Sequence, residues 1–249
     1  MATLKQHRPD GRIGGGTLRP LSAELSCLNR ADGSAKFSSG FTQVLAAVYG
    51  PAAPRNPSRE RSGEASLSIV FKHATDVSDL GLPPGYGSSV RELERFVGDS
   101  LAVCVAVAEY PRTVIEIVIQ VINADGSLVG TALNATVLAL MDAGVLMNSL
   151  PVTTTCLVSS NGTGNSDLGI MFDPSAEEEA KDDVAVIVLV TDSVKEGNVL
   201  GSMTCGAFQL SSILASAEGA SRASKAVVAF WRIAMEQKVT REANTLWST

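Results

Sequence analysis

The chain has 249 residues, of which 45% are hydrophobic and 18% charged, and its formal net charge at pH 7 is −6. This is the composition of a globular protein, and the negative charge excludes an isolated, strongly basic nucleic-acid binder. No apolar run is long enough to cross a bilayer, because even RTVIEIVIQVI is interrupted by Glu116 and Gln120. Four separated cysteines, two histidines and no C-x-x-C pair do not form the pattern of a zinc site.

The N-terminal segment is basic and contains IGGG at residues 13–16. Because consecutive glycines do not support regular structure, we expect residues 1–17 to form a flexible basic arm. The segment lacks the apolar middle of a secretory signal, so the expected compartment is the cytosol or the nucleus.

The next elements are predicted from β-branched, aromatic and periodic apolar residues. GSAKFSSG and TQVLAAVYGP are predicted strands joined as a hairpin near Gly40, and SLSIVFK is a strand after a loop rich in Pro, Ser and Arg. Helical spacing predicts a helix over residues 90–108. The strand TVIEIVIQVI and a helix from about Ala132 to Met147 follow.

The second half repeats this order of strands followed by a helix. VTTTCLVSS, LGIMFD, DVAVIVLVTD and VLGSMTCG are predicted strands, and a long helix follows from about Gln209 to Lys238. We therefore predict an α+β fold with two related lobes, residues 18–150 and 151–240, that share one core. Residues 241–249 are predicted to form a C-terminal tail.

The turn DGSLVG, residues 125–130, joins a predicted strand to a predicted helix, which is a place where proteins can hold a phosphate. Phosphate binding needs free backbone N–H groups and commonly a cationic or hydroxyl side chain. Leu128 and Val129 occupy the middle of this turn, and no cation lies within it. The residues favour a packed structural turn over an anion site.

The acidic stretch MFDPSAEEEAKDD offers six carboxylates as candidate ligands for Mg²⁺: Asp173, Glu177, Glu178, Glu179, Asp182 and Asp183. The alternative is a solvated acidic loop, which is the usual meaning of a run of charges.

The loop after the hairpin contains Arg55, Arg59 and Arg61, which can contact RNA phosphates by charge alone. The interleaved Glu60 and Glu64 favour a loop that only increases solubility.

Arg91 and Arg95 lie four residues apart on the first predicted helix. Two roles are possible for them: contact with RNA, or ion pairs within the helix. A Ser-His-Asp or Cys-His arrangement is excluded as a hypothesis, because the two histidines are His7 in the arm and His73.

Several motifs resemble the RNase PH family, and within it the ring subunits of the RNA exosome. They are RPDGR, LRPLSAELSCLNRADGSAKFSSGFTQVLAAVYGP, and INADGSL followed by LNATVLALMDAGV. The resemblance runs from about Arg8 to about Lys238. It implies the two-lobed RNase PH-like fold, also called ribosomal protein S5 domain 2-like, in a ring of paired subunits around an RNA channel.

The resemblance also implies roles for particular positions. Active members hold inorganic phosphate with a Thr-Arg pair that falls on Leu128 and Val129, and a further arginine of active relatives falls on Ser89. Their acid pair falls on Asp173 and Glu179. The resemblance therefore implies a phosphate-binding turn in which the phosphate-binding side chains are missing, because apolar residues cannot offset the charge of a phosphate.

The leading hypothesis is a catalytically silent, RNA-binding exosome ring subunit that supports 3′–5′ RNA processing, including rRNA maturation. The resemblance implies other RNase PH-type ring subunits, cap subunits and single-stranded RNA as partners, and a location in nucleus, nucleolus and cytoplasm. No cofactor and no membrane contact are expected.

Three alternatives stay open. The first is a phosphorolytic exoribonuclease in which Arg91 or Arg95 replaces the missing ligands. The second is a hydrolytic nuclease that uses Mg²⁺ at Asp173 and Glu179 as a homodimer. The third is a homodimeric binding module.

Overall fold

The structure is a computed structural model that describes residues 8–54, 60–73, 90–159, 169–181, 183–195 and 197–247. The strands of the first lobe are β1 Leu21–Leu25, β2 Gly33–Ser39, β3 Thr42–Ala52, β4 Ser66–His73 and β5 Val114–Asn123. They form one sheet in the order β1-β2-β3-β5-β4. All neighbours are antiparallel except β4 and β5, which are parallel.

Helix α1, Val90–Cys104, follows β4 and precedes β5 in the chain. It forms part of the long crossover connection that two parallel strands require. Its apolar residues recur every three or four positions, and Leu93, Val97 and Leu101 are fully buried. A short 3₁₀ helix, Val107–Glu109, follows before β5.

The second lobe contains an antiparallel sheet in the order β7-β6-β8-β9. Its strands are β6 Pro151–Ser159, β7 Ile170–Phe172, β8 Val184–Asp192 and β9 Val199–Cys205. Helix α2 is Leu128–Asp142, the short helix α3 is Ala176–Glu179, and the long helix α4 is Leu210–Trp247.

Helix α2 lies between the two sheets. It contacts β2 and β3 of the first sheet and β6 of the second, so every residue from Leu128 to Leu140 is buried. The other face of the second sheet is covered by α4, which contacts β6 and β8. One hydrophobic cluster therefore joins both lobes and includes Ile117, Leu138, Val188 and Trp231.

The α+β fold predicted from the sequence is confirmed, and the hairpin forms with Ser39 opposite Thr42. Several element predictions were wrong in detail. Helix α1 ends at Cys104 instead of Ala108, and helix α2 ends at Asp142 instead of Met147. Strand β1 was not predicted and is specified by pairing with β2. Helix α2 begins at Leu128 instead of Ala132, because burial between two sheets hides its periodicity.

Helix α4 ends at Trp247 instead of Lys238. No glycine or proline follows Lys238 in the sequence, so nothing stops the helix there. The predicted tail is therefore helical as far as Trp247.

Among the described helices, none is both long enough and apolar enough for a membrane crossing.

Candidate functional site

The turn between β5 and α2 has a strained, closely packed backbone. Gly126 has φ of +73°, a conformation that favours glycine, and a Cβ added there would lie 2.5 Å from the carbonyl oxygen of Pro174. Ser127 follows with φ of +49°. The turn is thus pressed against the segment that leads from β7 into α3.

The chain's own groups fill the space at the N-terminus of α2. Leu128 and Val129 are 2% and 1% exposed and belong to the core. The Ser127 N–H donates to Glu179 Oε1 at 2.8 Å. The cavity beside the turn, lined in part by Ser127 and Gly130, has a volume of about 30 Å³. Ligand pockets commonly measure about 300–1,000 Å³, so this cavity holds little more than water.

Arg19 holds the other side of the turn in place. Its Nη2 donates to Asp173 Oδ1 at 2.7 Å, and its backbone N–H donates to Asp173 Oδ2 at 3.0 Å. Its guanidinium also donates to the carbonyl oxygens of Asp125 and Gly126. Burial alone raises the pKa of Asp173, but the hydrogen bonds and charge of Arg19 outweigh it and lower that pKa.

A second buried ion pair ties the N-terminal segment to α3. Arg8 donates from Nε and Nη2 to the two carboxylate oxygens of Glu178 at 2.8 and 2.6 Å, and both side chains are at most 2% exposed. Burial raises the pKa of Glu178, but the Arg8 hydrogen bonds and charge more than offset it, and the pKa is lowered.

The prediction of a flexible arm is wrong for residues 8–17, which are held by hydrogen bonds. Arg8 Nη1 donates to the carbonyl oxygen of Phe172, and the Phe172 N–H donates to the carbonyl oxygen of Gly15, both at 2.8 Å. Arg12 Nη2 reaches the Asp173 carbonyl oxygen at 2.9 Å. The buried carboxylates fix this segment because they need cationic partners. Residues 1–7 lie outside the described residues.

Glu179 differs from its two acidic neighbours. Burial raises its pKa to about 7, and the charges of Asp173 and Asp125 add to this effect, while the Ser127 N–H and Arg19 oppose it. The carboxyl group therefore changes its protonation state near neutral pH.

The alternative of a solvated acidic loop is wrong at three positions of this stretch, and the Mg²⁺ site stays a prediction. Asp173, Glu178 and Glu179 are at most 7% exposed, so the loop is not solvated at these positions. The oxygens of Asp173 accept from Arg19 and from Ser39 Oγ, which leaves them engaged with protein donors. Within the described residues, no group of three acidic, histidine or cysteine side chains is placed to hold a metal.

The predicted RNA-contacting arginines are not brought together with this site. Arg61 is exposed and donates to Glu64 Oε1 at 2.6 Å. Arg91 and Arg95 lie exposed on α1, and Arg95 pairs with Asp99 at 3.7 Å. Arg55, Arg59 and Ser89 lie outside the described residues.

Sequence reasoning missed the importance of Arg8 and Arg19. Arg8 belongs to the motif RPDGR, within the predicted flexible arm of residues 1–17, and Arg19 belongs to the motif LRP directly after it. The sequence held no signal for these pairs, because it does not show that their carboxylate partners are buried, and buried carboxylates are the ones that need a cation.

Comparison with known proteins decides the family. A sequence profile of the 3′ exoribonuclease family, domain 1, known as RNase PH, matches residues 17–146. The chain belongs to the RNase PH family. The resemblance carried by the RPDGR, LRP and DGSL motifs is thereby confirmed.

Members of the exosome group are among the similar RNase PH proteins. The exosome complex exonuclease RRP46 homolog of Arabidopsis thaliana is 30% identical over 250 residues, which cover 94% of this chain and 98% of the relative. The crystal structure of rice (Oryza sativa) Rrp46 has a TM-score of 0.79 and 30% identity, and the match covers 90% of this chain and 98% of that chain. The sequence also predicts a likeness to the ribosomal-RNA-processing subunit forty-six, and these relatives confirm it.

A more distant structure, the Archaeoglobus fulgidus exosome with RNA bound to the active site, shares the fold. Its TM-score is 0.65 with 22% identity, over 88% of this chain and 91% of that chain.

Proposed function

We propose that this RNase PH protein is a catalytically silent ring subunit of an exosome core, which contacts RNA and supports 3′–5′ RNA processing, including rRNA maturation. The names of its relatives support a place in the exosome. The name of the Arabidopsis relative includes the word exonuclease, and the proposal departs from it on the geometry of one turn.

That turn carries the proposal. Where the family resemblance implies a Thr-Arg pair for phosphate, Leu128 and Val129 are buried in the core, and the Ser127 N–H is already bound to Glu179. Placing a phosphate dianion there means desolvating it beside the carboxyl group of Glu179, while the nearby cation, Arg19, is already paired with Asp173, which is strongly unfavourable. Phosphorolysis needs phosphate as its nucleophile, so the geometry of this turn supports the proposal of catalytic silence.

The RNA contact is proposed for the exposed arginines of the first lobe. The pairs Arg61 with Glu64 and Arg95 with Asp99 are largely exposed. Exposed pairs contribute about 0–1 kcal/mol, so RNA phosphates can replace the carboxylate partners. Contacts of this kind bind the RNA backbone without reading its sequence.

The proposed partners are other RNase PH-type ring subunits, in side-by-side pairs that build a hexameric ring, together with cap subunits. The proposed locations are nucleus, nucleolus and cytoplasm. A chain that stays monomeric when mixed with each other RNase PH-type subunit would contradict the ring assignment.

The test of catalytic silence is decay of a labelled single-stranded RNA by the purified chain in Mg²⁺, with and without inorganic phosphate. We expect intact RNA in both reactions. Phosphate-dependent release of nucleoside diphosphates would overturn the proposal and implicate Arg91 or Arg95. Cleavage without phosphate that disappears in Glu179→Gln would instead show a metal-dependent hydrolase at Asp173 and Glu179.

A further inference from the structure

Phe41 projects from the tip of the hairpin between β2 and β3. Its side chain is 75% exposed. Among the other large apolar side chains of the described residues, Leu210 is the most exposed, and its exposed fraction is also 75%. Phe41 and Gly40 form the two-residue connection between Ser39 and Thr42. An aromatic ring is therefore presented to solvent at a tight turn.

Hydrogen bonds on three sides hold this tip in one position. The Gly40 N–H donates to the carbonyl oxygen of Pro20 at 2.9 Å, and Asn123 Nδ2 donates to the carbonyl oxygen of Phe41 at 2.8 Å. Thr42 Oγ1 donates to the carbonyl oxygen of Gly126 at 2.7 Å. The backbone that carries the ring is thus fixed to β5 and to the closed DGSLVG turn, so binding through the ring requires little ordering of the backbone.

The surroundings of the ring favour a small planar ligand over a protein. The neighbouring apolar surface is slight, with Ile122 of β5 48% exposed beside the polar Asn123. An aromatic side chain can bury about 150–250 Å², whereas a stable protein interface covers about 800 Å² of each partner. A nucleobase needs only one face of a ring, and stacking on an aromatic side chain tolerates every base.

We propose that Phe41 is a stacking platform for an unpaired RNA base. This inference rests on the RNA contact of the proposed function and adds a base contact to it. The platform lies beside the DGSLVG turn, for which the proposed function expects no binding of inorganic phosphate. Stacking on a single ring contributes affinity without sequence preference.

The test measures binding of a fluorescein-labelled, 12-nucleotide single-stranded RNA to the full chain by fluorescence anisotropy. Phe41→Ala is expected to weaken binding about tenfold, and Phe41→Trp to keep or strengthen it. Phe41→Leu stays apolar but loses the π face, so it is expected to bind as weakly as Phe41→Ala. Leu210→Ala removes an equally exposed apolar side chain from α4 and is expected to leave affinity unchanged.

A second RNA separates stacking from backbone charge. An oligonucleotide of the same length with abasic riboses keeps all phosphates, and we expect it to bind the wild-type chain and Phe41→Ala equally. Equal binding of normal RNA by wild type and Phe41→Ala would overturn the platform and leave the arginine contacts intact. Wild-type affinity in Phe41→Leu would overturn it as well, because an apolar contact would then suffice. If the wild-type chain binds neither RNA, the RNA contact of the proposed function fails together with the platform.

Discussion

Replacing Arg19 by methionine is expected to lower the free energy of unfolding by about 3–5 kcal/mol. Methionine fills much of the space of the arginine stem, but it removes the guanidinium donors that hold Asp173. That carboxylate is 7% exposed and would stay buried with its charge uncompensated. The carbonyl oxygens of Asp125 and Gly126 would lose their guanidinium donor too, so the turn at the start of α2 is expected to loosen.

The measurement is urea unfolding at neutral pH, with the slope compared between variants to confirm that the denatured states are alike. Arg95→Met is the matched control, because its pair with Asp99 is 84% and 77% exposed and contributes at most about 1 kcal/mol. If Arg19→Met does not fold, adding Asp173→Asn removes the unpaired charge and is expected to restore part of the stability. A loss from Arg19→Met as small as that from Arg95→Met would show that the buried pair does not stabilise the turn.

Glu179→Gln is expected to be more stable than the wild-type chain at pH 8, by an amount on the order of 3 kcal/mol, and equal to it near pH 4.5. The pKa of Glu179 is raised from 4.5 to about 7 in the folded chain. Between these values the folded state binds a proton that the unfolded state has released. Wild-type stability therefore falls as pH rises through this window, and the loss is complete above pH 7.

The glutamine variant removes this loss because its amide is neutral at every pH and its Oε1 can still accept the Ser127 N–H. Asp173 and Glu178 have pKa values lowered from their ordinary values, so they stay largely ionised from pH 4.5 to 8 and the stability they contribute is lost only as pH falls further. The difference between the two stability curves therefore isolates Glu179. Glu177→Gln, at an exposed position two residues earlier, is expected to follow the wild-type curve. A Glu179→Gln curve parallel to wild type from pH 4.5 to 8 would contradict burial of this carboxyl group.

The parts of the site that follow from local sequence were predictable. Leu128 and Val129 are apolar where the family resemblance implies phosphate ligands, and their residue types alone predicted a turn that does not bind phosphate. The β2–β3 hairpin was predictable because both strands and Gly40 lie within one short segment.

The parts that depend on distant contacts were not predictable. Arg19 and Asp173 are 154 positions apart, and Ser127 and Glu179 are 52 apart, so no spacing rule joins them. A run of carboxylates in a sequence is usually solvated, and only the tertiary fold shows that three of these are buried. The start of α2 was missed for a related reason, because a helix buried on all sides has no polar face to set its period.

The most direct test of the closed site is titration of the ¹⁵N-labelled chain with inorganic phosphate, observed at the backbone amides of Gly126, Ser127 and Leu128. Sodium chloride at matched ionic strength is the control, and both titrations are run at pH 6 and pH 8 so that Glu179 is examined in both protonation states. We expect phosphate to shift these amide signals no more than chloride does at either pH. A saturable shift produced by phosphate alone would show that the turn still binds the nucleophile of phosphorolysis, and the chain could then not be regarded as catalytically silent.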